Sequence, residues 1–184
     1  QALHANYSMK KDFDYVVEDG KVVGIESDGE EMYAEAVILA DGVNSLLAQQ
    51  IGMKKELEPS QVAVGAKETI KLSEEIINER FGLKAGEGTA WLSAGDPTVG
   101  GFGGGFIYTN KDTVSVGIVA TLSDIGHSEI SVPQMLDRFK EHPSVAPFIE
   151  GGETIEYSGH LVPEEGLHMI PELYRDGVLV TGDA

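Results

Sequence analysis

Alternating apolar and polar positions near the start of the chain predict a β-hairpin. Phe13, Tyr15 and Val17 share one phase of the alternation, as expected for a half-buried strand. An Asp-Gly pair follows at 19–20, which is a strong signal for a tight turn, and residues 21–25 supply the returning strand.

A continuous apolar run at 36–40 predicts a different kind of strand, one that is buried on both faces as in a parallel sheet. The run leads directly into Asp41-Gly42-Val43-Asn44-Ser45, and residues 46–51 have the character of a short helix closed by Gly52. Strand, glycine turn and helix together indicate an α/β unit. A second apolar run, at 178–180, follows an Asp-Gly turn near the end of the chain.

The middle of the chain mixes long strands with capped helices. Residues 62–70 are strand-like, and 106–108 with 113–120 form a clear hairpin pattern. One helix is predicted to start at Ser73 and stop at Gly82, and Ser131-Val132-Pro133-Gln134 resembles a capping box that opens another. An α/β piece, an α+β middle and an α/β return suggest an inserted domain whose parent sheet lies partly outside the chain.

Composition and charge narrow the function classes. The 184 residues include 31 acidic and 13 basic side chains, a formal net charge of −18, which disfavours general nucleic-acid binding. The hydrophobic content of 41% is enough for a substantial core. The absence of cysteine excludes disulfides, Cys-ligated zinc and iron–sulfur clusters held by this stretch, and is compatible with a reducing cytoplasm. Since no apolar run approaches the roughly 20 residues of a membrane helix, the sequence predicts a soluble chain.

Two strand ends carry the candidate binding chemistry. A glycine at the mouth of a buried strand, such as Gly42, lets the backbone approach a ligand closely, and Asp41 can accept from a ribose hydroxyl. The alternative is an ordinary strand-to-helix turn with Asp41 as a cap. Gly182-Asp183 likewise places a glycine and an aspartate just after a buried strand. The spacing of the five histidines predicts no metal site.

The two motifs, 37–45 and 177–184, resemble the second and third FAD-contacting motifs of flavoproteins with the glutathione-reductase-type FAD fold. That superfamily includes aromatic hydroxylases, geranylgeranyl reductases and the electron-transfer flavoprotein:quinone oxidoreductases with their FixC relatives. The middle of the chain is similar to the FixC group over 103–118, 139–147 and 157–164. The hydroxylase pattern has an Arg where this chain has Ala48, which weakens an NADPH-using hydroxylase interpretation.

The resemblance implies a set of site residues. Ala40, Asp41 and Gly42 would line an FAD site, and Gly182 and Asp183 would lie against the ribityl and pyrophosphate region. The FixC pattern also places flavin contacts after Pro-Glu, where this chain has a single glycine, Gly166, rather than two. The expected substrate-binding residues are Gly103, Gly104, Gly105, Phe106 and Tyr108, with Phe102 as a further aromatic wall.

The glycine cluster at 103–105 has two interpretations. Glycines within a strand often mark a bulge or close strand packing. The functional interpretation is that three residues without side chains leave a flat channel through which a quinone or isoprenoid reaches the flavin.

The resemblance also implies a function for the intact protein: an FAD-dependent oxidoreductase that passes electrons from an electron-transfer flavoprotein to a quinone or a ferredoxin-like acceptor. Peripheral membrane contact of the full-length protein would accompany quinone use. No catalytic acid or base is assigned, because the flavin carries the redox chemistry. The alternatives are a geranylgeranyl-reductase-like flavoprotein and a non-catalytic, acidic protein-binding module.

The same resemblance sets the expected domain organisation. Residues 1–58 would be a partial FAD-binding segment, 59–172 the substrate- or quinone-binding domain, and 173–184 the start of a returning FAD segment. The overall class is α+β, a mixed or antiparallel sheet with helices, flanked by partial α/β segments. The chain starts at Gln1 and lacks the G-x-G-x-x-G fingerprint, so we expect an excised piece that holds little FAD alone.

Overall fold

A computed structural model describes residues 13–164 and 166–184. The strands are β1 (Phe13–Glu18), β2 (Lys21–Ser27), β3 (Glu30–Tyr33), β4 (Val37–Leu39), β5 (Val62–Lys71), β6 (Ala90–Ala94), β7 (Gly103–Thr109), β8 (Thr113–Thr121), β9 (Glu153–Pro163), β10 (Tyr174–Arg175) and β11 (Val178–Val180). The α-helices are α1 (Leu46–Gln50), α2 (Glu74–Phe81), α3 (Leu122–Ile125), α4 (Val132–Glu141) and α5 (Ala146–Ile149). Short 3₁₀ helices span Asp96–Thr98 and Gly166–Met169. The α+β class predicted from the sequence is confirmed.

The chain divides into two compact units. The first unit contains the described residues up to 56 together with 166–184, and the second unit contains those from 57 to 164. The sequence-based division placed its boundaries after residues 58 and 172. The first unit is therefore built from two segments that are far apart in the sequence.

The first unit contains two small sheets. One is the antiparallel sheet β1-β2-β3, and the other has the order β10-β11-β4, in which β11 pairs with β4 in parallel. Asp19 and Gly20 have φ of 48° and 82°, the backbone that a two-residue hairpin turn requires, so the predicted hairpin is confirmed. The buried core of this unit consists of Val22, Leu39, Ala48, Met53, Val178, Val180 and Ala184.

Strand β4 differs from the fully buried strand that its apolar run predicts. Leu39 is 1% exposed and belongs to the core, but the adjacent Ile38 is 64% exposed. Successive side chains of a strand point to opposite faces, so the described residues of the first unit cover only one face of this sheet.

The second unit is a five-stranded antiparallel sheet with the order β6-β7-β8-β5-β9, covered on one face by helices. On the central strand β8, Val114, Val116 and Ile118 are fully buried in a core that includes side chains of α2 and α4. That core consists of Ala66, Ile70, Leu72, Ile77, Phe81, Ile107, Val114, Val116, Ile118, Met135, Leu136, Phe139 and Val145. The face opposite these helices is called the open face below.

The ends of the two longer helices follow their sequence signals. Ser73 Oγ accepts from Ile76 N–H at 3.4 Å at the start of α2, and Gly82 ends that helix with φ of 66°. At the start of α4, Gln134 Oε1 accepts from Ser131 N–H at 2.8 Å. Both helices begin where their capping patterns predict. Within the described residues, no helix is long and apolar enough to cross a membrane.

Candidate functional site

The two predicted FAD motifs meet at one edge of the β10-β11-β4 sheet. Strands β4 and β11 run in parallel with Leu39 opposite Val180, so their carboxyl ends coincide. The pairing continues past the strands, since Thr181 N–H donates to Leu39 O at 2.9 Å. The carboxyl edge of parallel strands is where α/β proteins bind their ligands, so the first unit brings Asp41 and Asp183 to an appropriate place.

The glycines of both motifs leave the backbone accessible. Gly42 has φ of 77° and Gly182 has φ of 73°, in the left-handed region that favours glycine. A Cβ atom built on either residue would meet no heavy atom within 4 Å. Both glycines are therefore required by backbone conformation, and the space beside them can accept a ligand.

The two aspartates differ in their partners. Asp41 Oδ2 accepts from Leu47 N–H at 3.0 Å, which caps the first turn of α1 as the simpler sequence interpretation expected. Asp183 is exposed, and its carboxylate accepts no hydrogen bond from any described residue. Asp183 is thus the carboxylate with full capacity to accept from a ligand hydroxyl. Ala40, between β4 and Asp41, is also exposed.

Lys54 links the two motifs, and the sequence analysis did not single it out. Its ammonium donates to Ser45 Oγ at 2.7 Å, to Val43 O at 3.4 Å and to Asp183 O at 3.3 Å. The three N–H donors of the ammonium therefore each have an oxygen acceptor. Burial lowers the pKa of Lys54, and the carboxylates of Asp41 and Asp183 oppose this effect.

Ser45 explains how the loop after β4 is shaped to receive Lys54. It is fully buried with φ of 45°, and its hydroxyl donates to Gly42 O at 2.9 Å while accepting from Lys54. No periodic pattern connects positions 45 and 54, since Lys54 follows α1 in an irregular segment. Only the folded loop brings the two residues together.

Tyr15 fixes helix α1 to the first hairpin. Its hydroxyl donates to Leu47 O at 2.7 Å. Burial, with smaller contributions from the carboxylates of Asp41 and Asp14, raises the pKa of Tyr15 above its usual range. Tyr15 therefore stays protonated and acts as a donor.

Gly166 also belongs to the first unit. It opens the 3₁₀ helix Gly166–Met169 with φ of 57°, and nothing lies within 4 Å of a Cβ built there. Its backbone conformation favours glycine, as at Gly42 and Gly182.

The predicted substrate residues all lie on β7, but they divide between the two faces of the sheet. Ile107 packs in the helical core, so Gly103 and Gly105 face the helices. Gly104, Phe106 and Tyr108 face the other way, onto the open face. Strand alternation therefore brings only the latter three residues onto one surface.

Close packing accounts for the glycines of this cluster. A Cβ at Gly103 would lie 2.0 Å from Val119 O, and one at Gly104 would lie 2.1 Å from Ser93 O. A Cβ at Gly105 would lie 2.4 Å from the Phe139 ring. These distances support the strand-packing interpretation of the cluster.

The open face carries an aromatic shelf, defined here as Leu92, Phe106 and Tyr108. The rings of Phe106 and Tyr108 are stacked, with centroids 5.8 Å apart and planes 16° apart. Leu92 pairs with Phe106 across the strands and is 87% exposed. The Phe106 ring lies against Gly117, where a Cβ would come within 2.2 Å of it. Phe106 and Tyr108 are half-buried and Leu92 is exposed, so the shelf is largely apolar and partly accessible.

The described residues contain no group of three or more His, Asp or Glu side chains placed to hold a metal ion. Of the five histidines of the chain, His4 lies outside the described residues, as does the side chain of His168.

Comparison with protein families gives a match over residues 62–162 to the family described as ETF-QO, ubiquinone-binding. The match covers more than half of the chain and corresponds to the sheet and helices of the second unit.

Curated relatives match over a longer stretch. The chain is 55% identical over 169 residues to "Protein FixC" of Escherichia coli K12, covering 92% of the chain and 40% of that protein. It is 52% identical over 169 residues to "Probable electron transfer flavoprotein-quinone oxidoreductase YdiS" of the same strain, covering 92% of the chain and 39% of that protein. The chain thus spans about two fifths of the length of these relatives.

Solved structures show the same fold at low identity. A geranylgeranyl bacteriochlorophyll reductase-like protein of Thermoplasma acidophilum has a TM-score of 0.66 at 22% identity, over 92% of this chain and 40% of that one. The flavin-dependent brominase Bmp2 has a TM-score of 0.63 at 18% identity, over 94% and 42% of the two chains. These likenesses extend the fold comparison to both units.

Proposed function

The chain belongs to the ETF-QO ubiquinone-binding family, and from that premise we propose that it is the central part of an FAD-dependent oxidoreductase. The intact enzyme takes electrons from an electron-transfer flavoprotein and delivers them to a quinone. The family match over 62–162 carries this proposal. The "FixC" relatives and the relative named as a quinone oxidoreductase support it.

The first unit fits the part of FAD that its motifs are expected to contact. The open backbone beside Gly42 and Gly182, and a carboxylate at Asp183 with no partner among the described residues, suit a ribityl chain with hydroxyl groups. In this proposal Ala40, Asp41 and Gly42 line the FAD site, Asp183 accepts from a ribityl hydroxyl, and Gly166 allows a further backbone approach. Lys54 holds the loops of both motifs in position.

When bound, FAD supplies the redox chemistry by taking up and handing on electrons. The proposed task of the second unit is to bind the acceptor. Reduction of a quinone to a quinol consumes two electrons and two protons, and leaves a planar ring throughout. The aromatic shelf offers Phe106 and Tyr108 as a stacking surface for such a ring, with Leu92 beside it. Gly104 has no side chain, so it does not obstruct the open face beside Phe106.

The proposal extends to partners and location. An electron-transfer flavoprotein is the donor, and a companion ferredoxin-like protein is an alternative acceptor. A quinone acceptor requires peripheral contact of the full-length protein with the cytoplasmic side of a membrane, because natural quinones carry apolar tails.

The test is made on the full-length protein that contains this chain. We expect flavin absorbance, bleaching by reduced electron-transfer flavoprotein, and reoxidation by a short-chain ubiquinone. Replacement of both shelf aromatics, Phe106→Ala with Tyr108→Ala, should raise the KM for quinone by roughly tenfold or more, since each ring contributes about 1 kcal/mol of contact. Tyr157→Ala, which removes an exposed aromatic from β9, is the matched control and should leave KM unchanged.

Other outcomes would replace the proposal. A full-length protein without flavin would support a non-catalytic binding module. Reoxidation by a polyprenyl substrate but not by ubiquinone would favour geranylgeranyl-reductase-like chemistry. If the shelf variant and Tyr157→Ala changed the KM for quinone equally, the quinone would not bind at the aromatic shelf.

A further inference from the structure

A cavity of about 380 Å³ lies on the helical side of the five-stranded sheet, away from the aromatic shelf. Ile107 lines the cavity, and it alternates along β7 with Phe106 and Tyr108, whose side chains point to the opposite face. The cavity lies wholly within the second unit and falls in the size range of small-molecule pockets. It is therefore separate from the shelf proposed to bind quinone.

The floor of the cavity is apolar and rigid. Ile107, Phe139 and Val145 line it and are 3%, 5% and 5% exposed. The Phe139 ring packs directly on Gly105, which has no side chain to push it outwards. The floor is thus formed by residues of the main core, which already have fixed positions.

One wall is the side chain of Trp91, held by two other aromatic rings. Its ring centroid lies 4.6 Å from that of Phe148 with an interplanar angle of 88°, and 5.1 Å from that of Phe81. Trp91 is 37% exposed, so part of the indole remains available. A planar apolar ligand can contact this indole without reorganising it.

The rim of the cavity carries hydrogen-bond donors of Arg138 and His142. Arg138 Nη2 donates to both carboxylate oxygens of Asp96, each at 3.0 Å. The Nε and Nη1 donors of Arg138 have no partner among the described residues. His142 Nδ1 accepts from Ser144 N–H at 3.2 Å, so the proton of the neutral ring is on Nε2, which is a donor. A ligand that complements this rim brings acceptors.

We propose that the cavity binds a small aromatic carboxylate, with its ring on the apolar floor beside Trp91 and its carboxylate accepting from Arg138. Arg138 matches this group because its planar guanidinium presents several donors to one carboxylate. The net charge of −18 does not prevent binding at physiological salt, where charges beyond about 8 Å are largely screened. The proposal does not depend on the redox function.

Trp91 is the one tryptophan of the chain, so its fluorescence reports on the cavity directly. The probe is 4-nitrobenzoate, a planar carboxylate that quenches tryptophan on contact. The matched control is 4-nitrobenzamide, which has the same quenching ring without the charge. We expect saturable quenching of the 184-residue chain by the carboxylate, at concentrations roughly threefold to fivefold lower than for the amide.

Two substitutions at the rim should act in opposite directions. Arg138→Gln removes the positive charge and the guanidinium donors and should weaken 4-nitrobenzoate binding roughly threefold to fivefold. Asp96→Asn removes the competing carboxylate and should strengthen it. Lys111→Gln removes one positive charge from the tip of the β7–β8 hairpin and should have no effect.

The opposite signs keep the proposal testable even if one variant folds poorly. Quenching that stays linear in concentration, with the same slope for both probes, would reduce the contact to random collision and overturn the proposal. So would an Asp96→Asn variant that binds the carboxylate no better than the original chain.

Discussion

The two units cover their sheets in different ways. In the second unit, helices pack on one face of the sheet, and Val114, Val116 and Ile118 are fully buried. In the first unit, Ile38 on β4 and Leu179 on β11 remain exposed on one face of the β10-β11-β4 sheet. The second unit therefore gains most of its stability from apolar burial, at about 25 cal/mol per Å² removed from water.

The first unit relies more on individual polar contacts between its two segments. Lys54 reaches Asp183 O, and Arg175 Nη1 donates to Ile51 O at 2.8 Å. Each such hydrogen bond contributes about 1 kcal/mol net, and more when the donor is charged. We therefore expect the second unit to be the more stable one and the first unit to open more easily.

The largest expected effect comes from truncating the core of the second unit. Leu136→Ala, at a position 1% exposed, should lower the free energy of unfolding of that unit by about 3 kcal/mol, because the substitution leaves a cavity. Ile38→Ala, on the open side of the first-unit sheet, should cost less than about 0.5 kcal/mol. Hydrogen exchange of amides in β8 and β4 measures the two units separately.

Equal losses in free energy of unfolding from Leu136→Ala and Ile38→Ala would contradict the proposed difference between the two units. A large loss from Ile38→Ala would mean that this side chain is buried by a contact that the exposed fraction of 64% does not include.

A glycine pair in the second unit gives the next largest effect. Gly105→Ala forces a methyl group to within 2.4 Å of the Phe139 ring, and the overpacking should cost about 2 kcal/mol. Gly65→Ala is the matched control on the same sheet, because its nearest neighbour, His160 O, lies at an ordinary 3.6 Å. That variant should change the free energy of unfolding by less than about 0.5 kcal/mol.

Chemical denaturation followed by Trp91 fluorescence checks both glycine variants. A Gly105→Ala variant as stable as the original chain would show that the Phe139 ring moves without cost. The floor of the cavity would then not be rigid.

Features that depend on neighbouring residues in the sequence could be predicted. The Asp19-Gly20 turn needs only its own backbone conformation, and the helix start at Ser131 needs only Gln134 three residues later. The resemblance assigned both predicted FAD motifs to one site, and the parallel pairing of β4 with β11 shows how their carboxyl ends come together.

Features that depend on approach between distant segments could not be predicted. Lys54 meets Asp183 only because β11 returns beside β4, and no local pattern marks it. The contact between Gly105 of β7 and the Phe139 ring of α4 depends on how the helix packs on the sheet. Strand alternation alone shows only that residues 103, 105 and 107 share one face. The exposure of Ile38 reflects missing coverage of one sheet face, which an apolar run alone does not reveal.

The smallest expected effect tests the polar link within the first unit. Lys54→Met removes donors to Ser45 Oγ, Val43 O and Asp183 O, and should cost about 1 kcal/mol, measured by hydrogen exchange in β4 and β11. Lys55→Met, at the exposed neighbouring lysine, should cost less than about 0.5 kcal/mol and serves as the control. Equal losses in the two variants would show that the link adds no stability.

The cost of Lys54→Met should also depend on pH. Burial lowers the pKa of Lys54, so between that lowered value and about 10.5 the unfolded chain binds more protons than the folded chain. The free energy of unfolding of the original chain therefore rises with pH across this window, and the variant lacks the rise. Tyr15 is present in both proteins, so its contribution is expected to cancel in the difference. The cost should grow as pH increases from 8 towards 10, and a cost that shrinks over this range would contradict the burial of the Lys54 ammonium.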